Sequence, residues 1–461
     1  MRTTDFGADF TWGVASAAFQ VEGAWDRDGK APSVWDEACR RGRVRGGTDC
    51  RDGIDAFDRL DEDLDLIAAL GVGANRFSVS WPRVFGDGRG PWNAAGGAYY
   101  DRLIDGCLER GLEPWLTVHH WDLPLALQQE GGWARRGIVE DFAGFAEEVG
   151  RRYGDRVRHW MVFNEPLSVV GHIAGGVHAR RLGPRPLEAL ASMHHMNLAI
   201  AEAGRRLRDV LPSGAQVGTT NVFTLASPFH TDDGRLRRAQ RAAEAFAVDG
   251  FLDPLAGRGY PFDDSPFLRP MRRFVRDGDE AAMAFDVDFM GVQYYGPLPM
   301  RRVPLLGGLP TAWERTSEAR VRSSVGIPVD ARGLTELLRR YRHHPACPRF
   351  VITESGFGMN DRVDGDGRIH DDLRIWVART HLQAVREAQR DGVAVDGFFQ
   401  WSYADNIEWV LGRSARFGLV HVDYDDDMRR RPKDSYHWFR RFLTEGTAPD
   451  VAAAGAADRT D

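Results

Sequence analysis

The sequence predicts a single α/β domain over residues 1–446, in which eight parallel strands close into a (β/α)8 barrel. Three observations lead to this fold class. Short strand-like runs alternate with amphipathic helical stretches along the chain, and eight such runs can be counted. Polar residues collect at the carboxyl ends of these runs. No glycine-rich phosphate loop follows any of them, which counts against an open dinucleotide-binding sheet.

The helical stretches are recognised by apolar residues that recur every three or four positions. In residues 55–71, Phe57, Leu60, Leu64 and Ile67 share one face, and Gly71 ends the pattern. Residues 99–110 and 142–153 repeat it, each followed by a glycine. The length of 461 residues suits a single barrel with its loops.

The strand-like runs follow these stretches in regular order. They are, in sequence, FTWGVAS, NRFSVSW, PWLTVHH, HWMVFNE, AQVGTTN, DFMGVQYY, FVITE and VDGFFQWS. Most of them are apolar until their last one or two positions. The polar and aromatic residues singled out in these runs are Arg76, near the start of NRFSVSW, and, at the ends of the other runs, His120, Asn164, Glu165, Asn221, Tyr295, Glu354 and Trp401. Because the carboxyl ends of barrel strands meet at one mouth, we expect these side chains to form a site there.

Composition limits the classes of partner. The formal net charge is −7, without long blocks of one sign, so we expect neither nucleic-acid nor membrane binding. The amino terminus has no apolar signal-like region and no run is long enough to span a bilayer, so a cytoplasmic location is expected. Four widely spaced cysteines are interpreted as reduced thiols, and residues 447–461, rich in Ala, Gly and Asp, as a disordered tail.

Two glutamates stand out among the strand ends. Pro166 is expected to hold Glu165 in an extended conformation, and Gly356 to permit a sharp exit after Glu354. Cleavage of a glycosidic bond requires two carboxyl groups, one on either side of the anomeric carbon. Either glutamate alone would more often be a surface or ion-paired residue. Two at strand ends, each beside a constrained residue, indicate a glycoside-cleaving pair.

The chain resembles glycoside hydrolase family 1, the β-glucosidase and β-galactosidase family, over roughly residues 5 to 445. The motifs that carry the resemblance are FTWGVASAAFQVEG (10–23), RFSVSWPR (76–83), HHWDLP (119–124), FNEP (163–166), ITESG (352–356), WSYADNIEW (401–409) and RFGLVHVD (416–423). They occur in the order and approximate spacing of that family.

The resemblance implies a retaining exo-β-glycosidase that acts without cofactor or metal ion on a small-molecule glycoside. Glu165 would be the acid/base and Glu354 the nucleophile, about 5 to 5.5 Å apart. Arg76 and Tyr295 would support the nucleophile. The implied sugar-binding residues are Gln20, His120, Trp121, Asn164, Asn221, Tyr295, Trp401, Glu408 and Trp409.

Some positions depart from the family pattern. Gln293 and Ser355 stand where Asn is usual, and Arg180–Arg181 where Pro-Gly is common. These changes predict a particular aglycone or a modified sugar. The carboxylate of Glu408 argues against a phosphorylated sugar, which it would repel.

Three alternatives are compatible with these residues. A transglycosidase would use the same two carboxylates, and a non-catalytic carbohydrate-binding barrel would share the fold. A metal site at His119, His120 and Asp122 is weakly suggested, but no companion metal-binding motif accompanies these residues.

Overall fold

The computed structural model describes residues 1–178, 183–224, 226–227, 234–301, 309–310 and 321–448. Its centre is a closed barrel of eight parallel strands, as the sequence predicts. The strands are β1 (Thr11–Ala15), β2 (Ala74–Ser78), β3 (Glu113–His119), β4 (His159–Asn164), β5 (Gln216–Val222), β6 (Met290–Gln293), β7 (Phe350–Ser355) and β8 (Val395–Trp401).

Neighbouring strands in the sequence are neighbours in the barrel, and β1 closes the ring by pairing with both β2 and β8. Thr11 lies opposite Gly397, and Gly13 lies opposite Ala74. Strands β2, β6 and β7 are buried along their whole length. This continuous burial is typical of parallel strands that have a core on one face and helices on the other.

Helices surround the barrel and also occur within the loops at its mouth. In the described residues they are α1 (Ala18–Val21), α2 (Val34–Arg40), α3 (Leu60–Ala69), α4 (Trp81–Phe85), α5 (Ala94–Glu109), α6 (Leu125–Gln129), α7 (Ile138–Tyr153), α8 (Pro166–Ala174), α9 (Pro186–Val210), α10 (Gly234–Glu244), α11 (Gly250–Leu255), α12 (Asp279–Ala282), α13 (Arg332–Tyr341), α14 (Asp372–Arg390) and α15 (Asp434–Glu445). Short 3-10 and π segments add Thr3–Phe6, Arg45–Gly47, Gly132–Ala134, Ala245–Asp249, Pro266–Arg273 and Trp409–Ser414.

The first predicted helix begins later than its apolar pattern suggests. Phe57 belongs to the preceding loop, and α3 starts at Leu60. The backbone amides of Ile54 and Ala56 donate to the carbonyl of Val21, which ties this part of the chain to the loop after β1. The apolar periodicity therefore continues across a turn that is held by tertiary hydrogen bonds.

A buried ionic cluster joins the loops that follow β7 and β8. Arg374 on α14 donates to Asp361 at 2.8 Å and also contacts Asp371. Lys433 contacts Asp361 and donates to Asp405 at 2.6 Å. Arg416 completes the cluster by pairing with Asp405 at 2.8 Å. Three carboxylates and three cations therefore balance in a place where an unpaired charge would be costly.

The structure corrects the interpretation of two cysteines. Cys39, near the end of α2, and Cys50 form a disulfide with a Cα–Cα distance of 6.2 Å, within the usual range for such a bond. Their separation of 11 residues could not reveal this, because it depends on how the loop after α2 turns back. Cys107 and Cys347 are buried free thiols, as expected.

The first two residues of the predicted disordered tail form hydrogen-bonded contacts with the amino terminus. Thr447 pairs with Arg2, and the amide of Ala448 donates to the carbonyl of Met1. The rest of the predicted tail lies outside the described residues. Over the described ranges, none of the helices combines the length and the apolar character that crossing a membrane requires.

Candidate active site

A pocket of about 250 Å³ opens at the carboxyl ends of the barrel strands. Its described lining residues are His120, Trp121, Asn164, Glu165, Tyr295, Val325, Ile327, Glu354, Trp401, Glu408, Trp409, Leu411 and Phe417. Both predicted catalytic glutamates are among them. The mouth of the barrel therefore brings together most of the polar strand ends found in the sequence.

Glu354, near the end of β7, is held by two donors. Arg76 Nη1 donates to Glu354 Oε1 at 2.6 Å, and the hydroxyl of Tyr295 donates to Oε2 at 2.8 Å. Arg76 is itself completely buried on β2, at 0% exposure. Burial raises the pKa of Glu354 above its ordinary value, and Arg76 and Tyr295 limit this rise by stabilising the carboxylate.

Glu165 has a different environment. Its carboxyl accepts a hydrogen bond from the hydroxyl of Ser168 at 2.8 Å. Burial and the nearby negative charge of Glu354 raise the pKa of Glu165 to about 8. Because Glu354 has a cation in contact and Glu165 has only a hydroxyl, the pair is best described with the charge on Glu354 and the proton on Glu165.

The backbone at Glu165 differs from the sequence expectation. Its φ of 43° and ψ of 67° are left-handed, not extended. Its amide donates to the carbonyl of Thr220 on β5, and Pro166 is already the first residue of α8. The chain must pass from strand to helix at this one residue, which overrides the usual preference before proline. Trp121 and Trp409 also have positive φ, so strained residues cluster at the pocket.

The backbone that follows Glu354 also differs from the sequence expectation. Gly356 does not adopt a positive φ. Instead, the carbonyl of Trp401 lies so close that a Cβ at Gly356 would collide with it. Glycine is needed at this position because β8 approaches closely, and not because of a sharp turn.

The orientation of the side-chain amide of Asn164 is determined by its hydrogen-bond partners. Its Oδ1 accepts from Arg76 Nη2 at 2.5 Å and from Gln293 Nε2 at 2.6 Å. Its Nδ2 therefore faces His120 Nε2, at 2.9 Å, beside the pocket. The hydrogen-bonding network settles the assignment of oxygen and nitrogen. Gln293, a departure from the family pattern, thus contacts Asn164, which lines the pocket.

Gln20 and Glu408 form a second polar group. Gln20 Nε2 donates to the carbonyl of Ile407 at 2.9 Å and to Asn406 Oδ1 at 3.0 Å, and lies 3.4 Å from Glu408 Oε2. Gln20 Oε1 is buried and accepts no hydrogen bond from the part of the chain that the structure describes. Burial and the charge of Glu354 raise the pKa of Glu408 to about 8. Both side chains therefore offer hydrogen-bonding capacity of the kind that hydroxyl groups need.

Aromatic rings form another part of the wall. The ring centroid of Trp409 lies 4.4 Å from that of Trp121 and 4.8 Å from that of Trp35. Trp401 is stacked on His120 with centroids 5.8 Å apart. Flat rings of this kind can pack against the C–H faces of a sugar.

Two predicted residues lie away from the pocket. The side chain of Asn221 faces the outer helices and donates to Met290 Sδ at 3.5 Å, so its expected contact with substrate is wrong. The preceding Thr220 points inward instead and bonds to Thr353, because successive strand residues face opposite sides. The hydroxyl of Ser355 bonds to His381 on α14, at 2.8 Å, rather than facing the pocket. Arg180–Arg181 lie outside the described residues.

The weakly suggested metal residues do not converge. The ring of His119 packs against Trp81 and Phe163, whereas that of His120 lines the pocket.

Several pocket residues carried no recognisable signal in the sequence. Val325 and Ile327 come from a loop without a motif, and Leu411 lies between the WSYADNIEW and RFGLVHVD motifs, whereas Phe417 belongs to the second of these motifs. Ser168 could have been found from its position three residues after Glu165, and the structure places it on the first turn of α8.

Comparison with known proteins gives a consistent result. The family model for glycosyl hydrolase family 1 matches residues 2–447. A β-glucosidase of Agrobacterium sp. (strain ATCC 21400) is 38% identical, with 94% of each chain covered. The aryl-phospho-beta-D-glucosidase BglC of Bacillus subtilis (strain 168) is 36% identical, over 94% of this chain and 96% of the relative.

A solved structure extends the comparison to three dimensions. The structure of a β-glucosidase from Thermotoga maritima in complex with glucoimidazole superposes with a TM-score of 0.89 at 32% identity. The superposition covers 96% of this chain and 99% of the Thermotoga maritima chain.

Proposed function

Because the chain belongs to glycosyl hydrolase family 1 and is a β-glycosidase, we propose that residues 1–446 form one catalytic domain that hydrolyses non-phosphorylated β-D-glycosides with retention of configuration. The observation that carries this proposal is the unequal environment of Glu354 and Glu165. One carboxyl is ion-paired with a buried arginine, and the other has a pKa raised to about 8.

The proposed reaction has two steps. In the first, the carboxylate of Glu354 attacks the anomeric carbon while Glu165 protonates the departing glycosidic oxygen. This forms an ester between the sugar and Glu354 and releases the alcohol. Esterification removes the negative charge of Glu354, so the pKa of Glu165 falls and it can act as a base. In the second step Glu165 takes a proton from water, and the resulting attack on the anomeric carbon regenerates Glu354.

We assign sugar recognition to the residues that surround this pair. They are Gln20, His120, Trp121, Asn164, Tyr295, Trp401, Glu408 and Trp409. The Nδ2 of Asn164 is available for the 2-hydroxyl, where hydrogen bonds strengthen in the transition state. The free Oε1 of Gln20 would accept from another hydroxyl. Asn221 is not part of this group.

The charge of the pocket supports an unphosphorylated sugar. Among its described lining residues are three glutamates and neither lysine nor arginine. Because the pKa values of Glu165 and Glu408 are raised to about 8, the main negative charge of the pocket is that of Glu354, and a phosphate group would add to it without a lysine or arginine in the described lining to balance it. We expect a nitrophenyl β-glycoside to be cleaved at least a hundredfold more efficiently than its 6-phosphate. Preference for the 6-phosphate would contradict the proposal.

The decisive test is chemical rescue. In Glu354→Gly, hydrolysis of a nitrophenyl β-glycoside should be abolished, and added azide should give the α-glycosyl azide. The matched control is Glu165→Ala, in which the nucleophile is intact and azide should give the β-glycosyl azide. The same anomer from both variants would overturn the assignment of roles.

The transglycosidase alternative is separated by product analysis in the presence of an acceptor alcohol. Free sugar as the main product supports hydrolysis, and a glycosylated acceptor as the main product supports transfer. A cytoplasmic location is also a proposal, and the Cys39–Cys50 disulfide counts against it because such bonds are typical of oxidising compartments. Fractionation of the producing cells tests it, since recovery outside the cytoplasm would contradict it.

A further inference from the structure

A second cavity, of about 550 Å³, lies beside the Cys39–Cys50 disulfide. Both cysteines line it, together with the exposed residues Arg40 and Arg51, so the cavity opens to solvent. Cys39 is partly exposed, whereas Cys50 is 5% exposed. A small dithiol can therefore approach the disulfide through this cavity, and Cys39 is the half of the bond that it meets first.

The other two cysteines of the chain do not compete for such a reagent. Cys107 and Cys347 are free thiols that are 0% and 2% exposed. Burial raises the pKa of both thiols, that of Cys107 to about 11, so both stay protonated near neutral pH. Because the thiolate is the reactive form of cysteine, the disulfide is the accessible sulfur site of this chain.

The disulfide closes a loop at residues 41–49 whose side chains contribute little to the core. Among these nine residues, all of which the structure describes, Val44 alone is buried. Gly42, Gly46 and Gly47 have positive φ, and glycine has the most conformational freedom to regain when a constraint is removed. Segments with few buried contacts open locally with a small free energy. The covalent bond therefore provides a large share of the order of this loop.

The loop packs directly against the segment that carries Glu408. A Cβ at Gly412 would collide with Thr48 Oγ1 and with the carbonyl of Arg45, so the two backbones are in close contact. Thr48 Oγ1 also accepts a hydrogen bond from the amide of Arg413 at 3.4 Å. The carbonyl of Gly412 in turn accepts from the amide of Glu408, at 2.9 Å. The loop thus supports the backbone turn that holds Glu408 at the pocket.

Helix α2 connects the disulfide to the same wall of the pocket by a second route. Trp35 lies on α2, four residues and about one helical turn before Cys39. Its ring is completely buried, and its centroid lies 4.8 Å from that of Trp409. One half of the disulfide is therefore on the helix that packs against Trp409, and the bond closes the loop that packs against the turn after Glu408.

We propose that the Cys39–Cys50 disulfide is a redox-modification site, and that its reduction by a dithiol weakens sugar binding by loosening Glu408 and Trp409. This goes beyond the hydrolysis proposed above and rests on the sugar-binding roles assigned there to these two residues. The enzyme would then have its full activity in an oxidising compartment and a lower activity in a reducing one.

The exchange has two steps. A thiolate of the reductant attacks the sulfur of Cys39, and Cys50 leaves as a thiolate that takes up a proton. The second thiol of the reductant loses its proton and attacks the reductant sulfur of the mixed disulfide, which releases Cys39 as a thiolate that is protonated in turn. Two electrons and two protons have then passed to the protein, and the reductant has become a cyclic disulfide.

The test measures thiol content and activity of the folded enzyme together. The wild type is treated with dithiothreitol under native conditions, and one portion is alkylated with iodoacetamide for mass spectrometry. We expect Cys39 and Cys50 to be labelled, and Cys107 and Cys347 to stay unlabelled. In the other portion, kcat/KM for a nitrophenyl β-glycoside should fall about fivefold or more. The change should be mainly a rise in KM, because Glu408 and Trp409 bind the sugar without taking part in bond making.

Reversal and a matched variant locate the effect at this bond. Oxidised glutathione should restore both the disulfide and the original KM. The control is the double variant Cys39→Ala/Cys50→Ala, which cannot form the bond. It should have the raised KM of the reduced wild type and should not respond to dithiothreitol. Far-UV circular dichroism checks that the reduced wild type keeps its fold.

The outcomes separate this inference from the proposed function. Reduction of the bond with unchanged KM, or a bond that resists excess dithiothreitol in the folded enzyme, overturns the inference and leaves hydrolysis intact. A response of the double variant to dithiothreitol, or loss of the circular dichroism signal on reduction, also overturns it. Failure of the oxidised wild type to cleave any β-glycoside would overturn the proposed function instead. If the double variant does not fold, the comparison of reduced with reoxidised wild type still decides the question.

Discussion

Replacing Tyr295 by phenylalanine should move the acid limb of the pH profile. The hydroxyl of Tyr295 donates to Glu354 Oε2 at 2.8 Å and thereby lowers the pKa of Glu354. Without this donor the carboxylate is less well stabilised, so its pKa rises and activity is lost at a higher pH on the acid side. A hydrogen bond to a charged group contributes about 1.5–3 kcal/mol. Since one pKa unit corresponds to about 1.4 kcal/mol, we expect a shift of about one to two units.

The shift should lie near the lower end of that range. Arg76 still donates to Glu354 Oε1, at 2.6 Å, and continues to favour the charged form in the variant. The assay is kcat/KM for a nitrophenyl β-glycoside as a function of pH, which reports the free enzyme. The apparent values belong to the coupled pair of Glu354 and Glu165, so the wild type and the variant are compared limb by limb.

The neighbouring tyrosine provides a matched control. Tyr294 is fully buried, and its hydroxyl donates to the carbonyl of Asp330 at 2.6 Å, away from the carboxylate pair. Tyr294→Phe removes a buried hydroxyl of the same kind and should leave the acid limb in place. An unmoved acid limb in Tyr295→Phe, or equal shifts in both variants, would refute the assignment of Tyr295 as the donor that supports Glu354.

Three further predictions concern acid/base balance and stability. Ser168→Ala removes the donor to Glu165 that lowers the pKa of this acid, so the basic limb should move about half a unit to one unit above its wild-type position. A downward shift in the same pH series would contradict this. Lys433→Met should lower the free energy of unfolding by about 3–5 kcal/mol, measured by denaturant titration, because it removes a buried cation and leaves three clustered carboxylates with two cations. The control is Arg339→Met, which breaks the ion pairs of a side chain that is 35% exposed. It should lower the free energy of unfolding by no more than about 1 kcal/mol. Equal losses of stability in Lys433→Met and Arg339→Met would contradict the role assigned to burial. Finally, burial raises the pKa of Asp405, but Lys433 and other cations lower it more, and the net pKa is far below the usual range. A depressed carboxyl pKa stabilises the fold above the unfolded value of about 4, and this contribution is lost as the pH falls below it. Stability measured from pH 5 to pH 2 should therefore fall more steeply in the wild type than in Lys433→Met.

The strand order and the two glutamates could be predicted because both depend on local sequence. Each strand is a short apolar run, and each glutamate occupies the last positions of such a run. The side-chain direction at a strand end is harder to predict. Asn221 and Glu354 look alike in the sequence, but Asn221 faces the helices and Glu354 faces the pocket. A shift of one residue in register reverses the two faces.

Other features depend on tertiary contacts that no local pattern contains. The left-handed conformation of Glu165 follows from the direct passage of β4 into α8, together with its hydrogen bond to β5. The pairing of Cys39 with Cys50 depends on the path of a loop. Val325 and Ile327 reach the pocket through a hairpin whose position is determined by contacts with Gly296 and Gly358. Apart from the passage of β4 into α8, these features depend on contacts between segments that are distant in sequence or joined by a loop whose path no local pattern predicts.

The buried ionic cluster has a practical consequence for handling the protein. The chain contains only two lysines, Lys30 and Lys433, and all its other cationic side chains are arginines. The side chains of Lys30 and Lys433 are 5% and 0% exposed, and each is held in an ion pair. Reagents that couple to side-chain amines, including dye esters and aldehyde resins, should therefore modify the folded enzyme poorly. Lysine modification would then report unfolding, because both amines become reactive only when the ion pairs around them open.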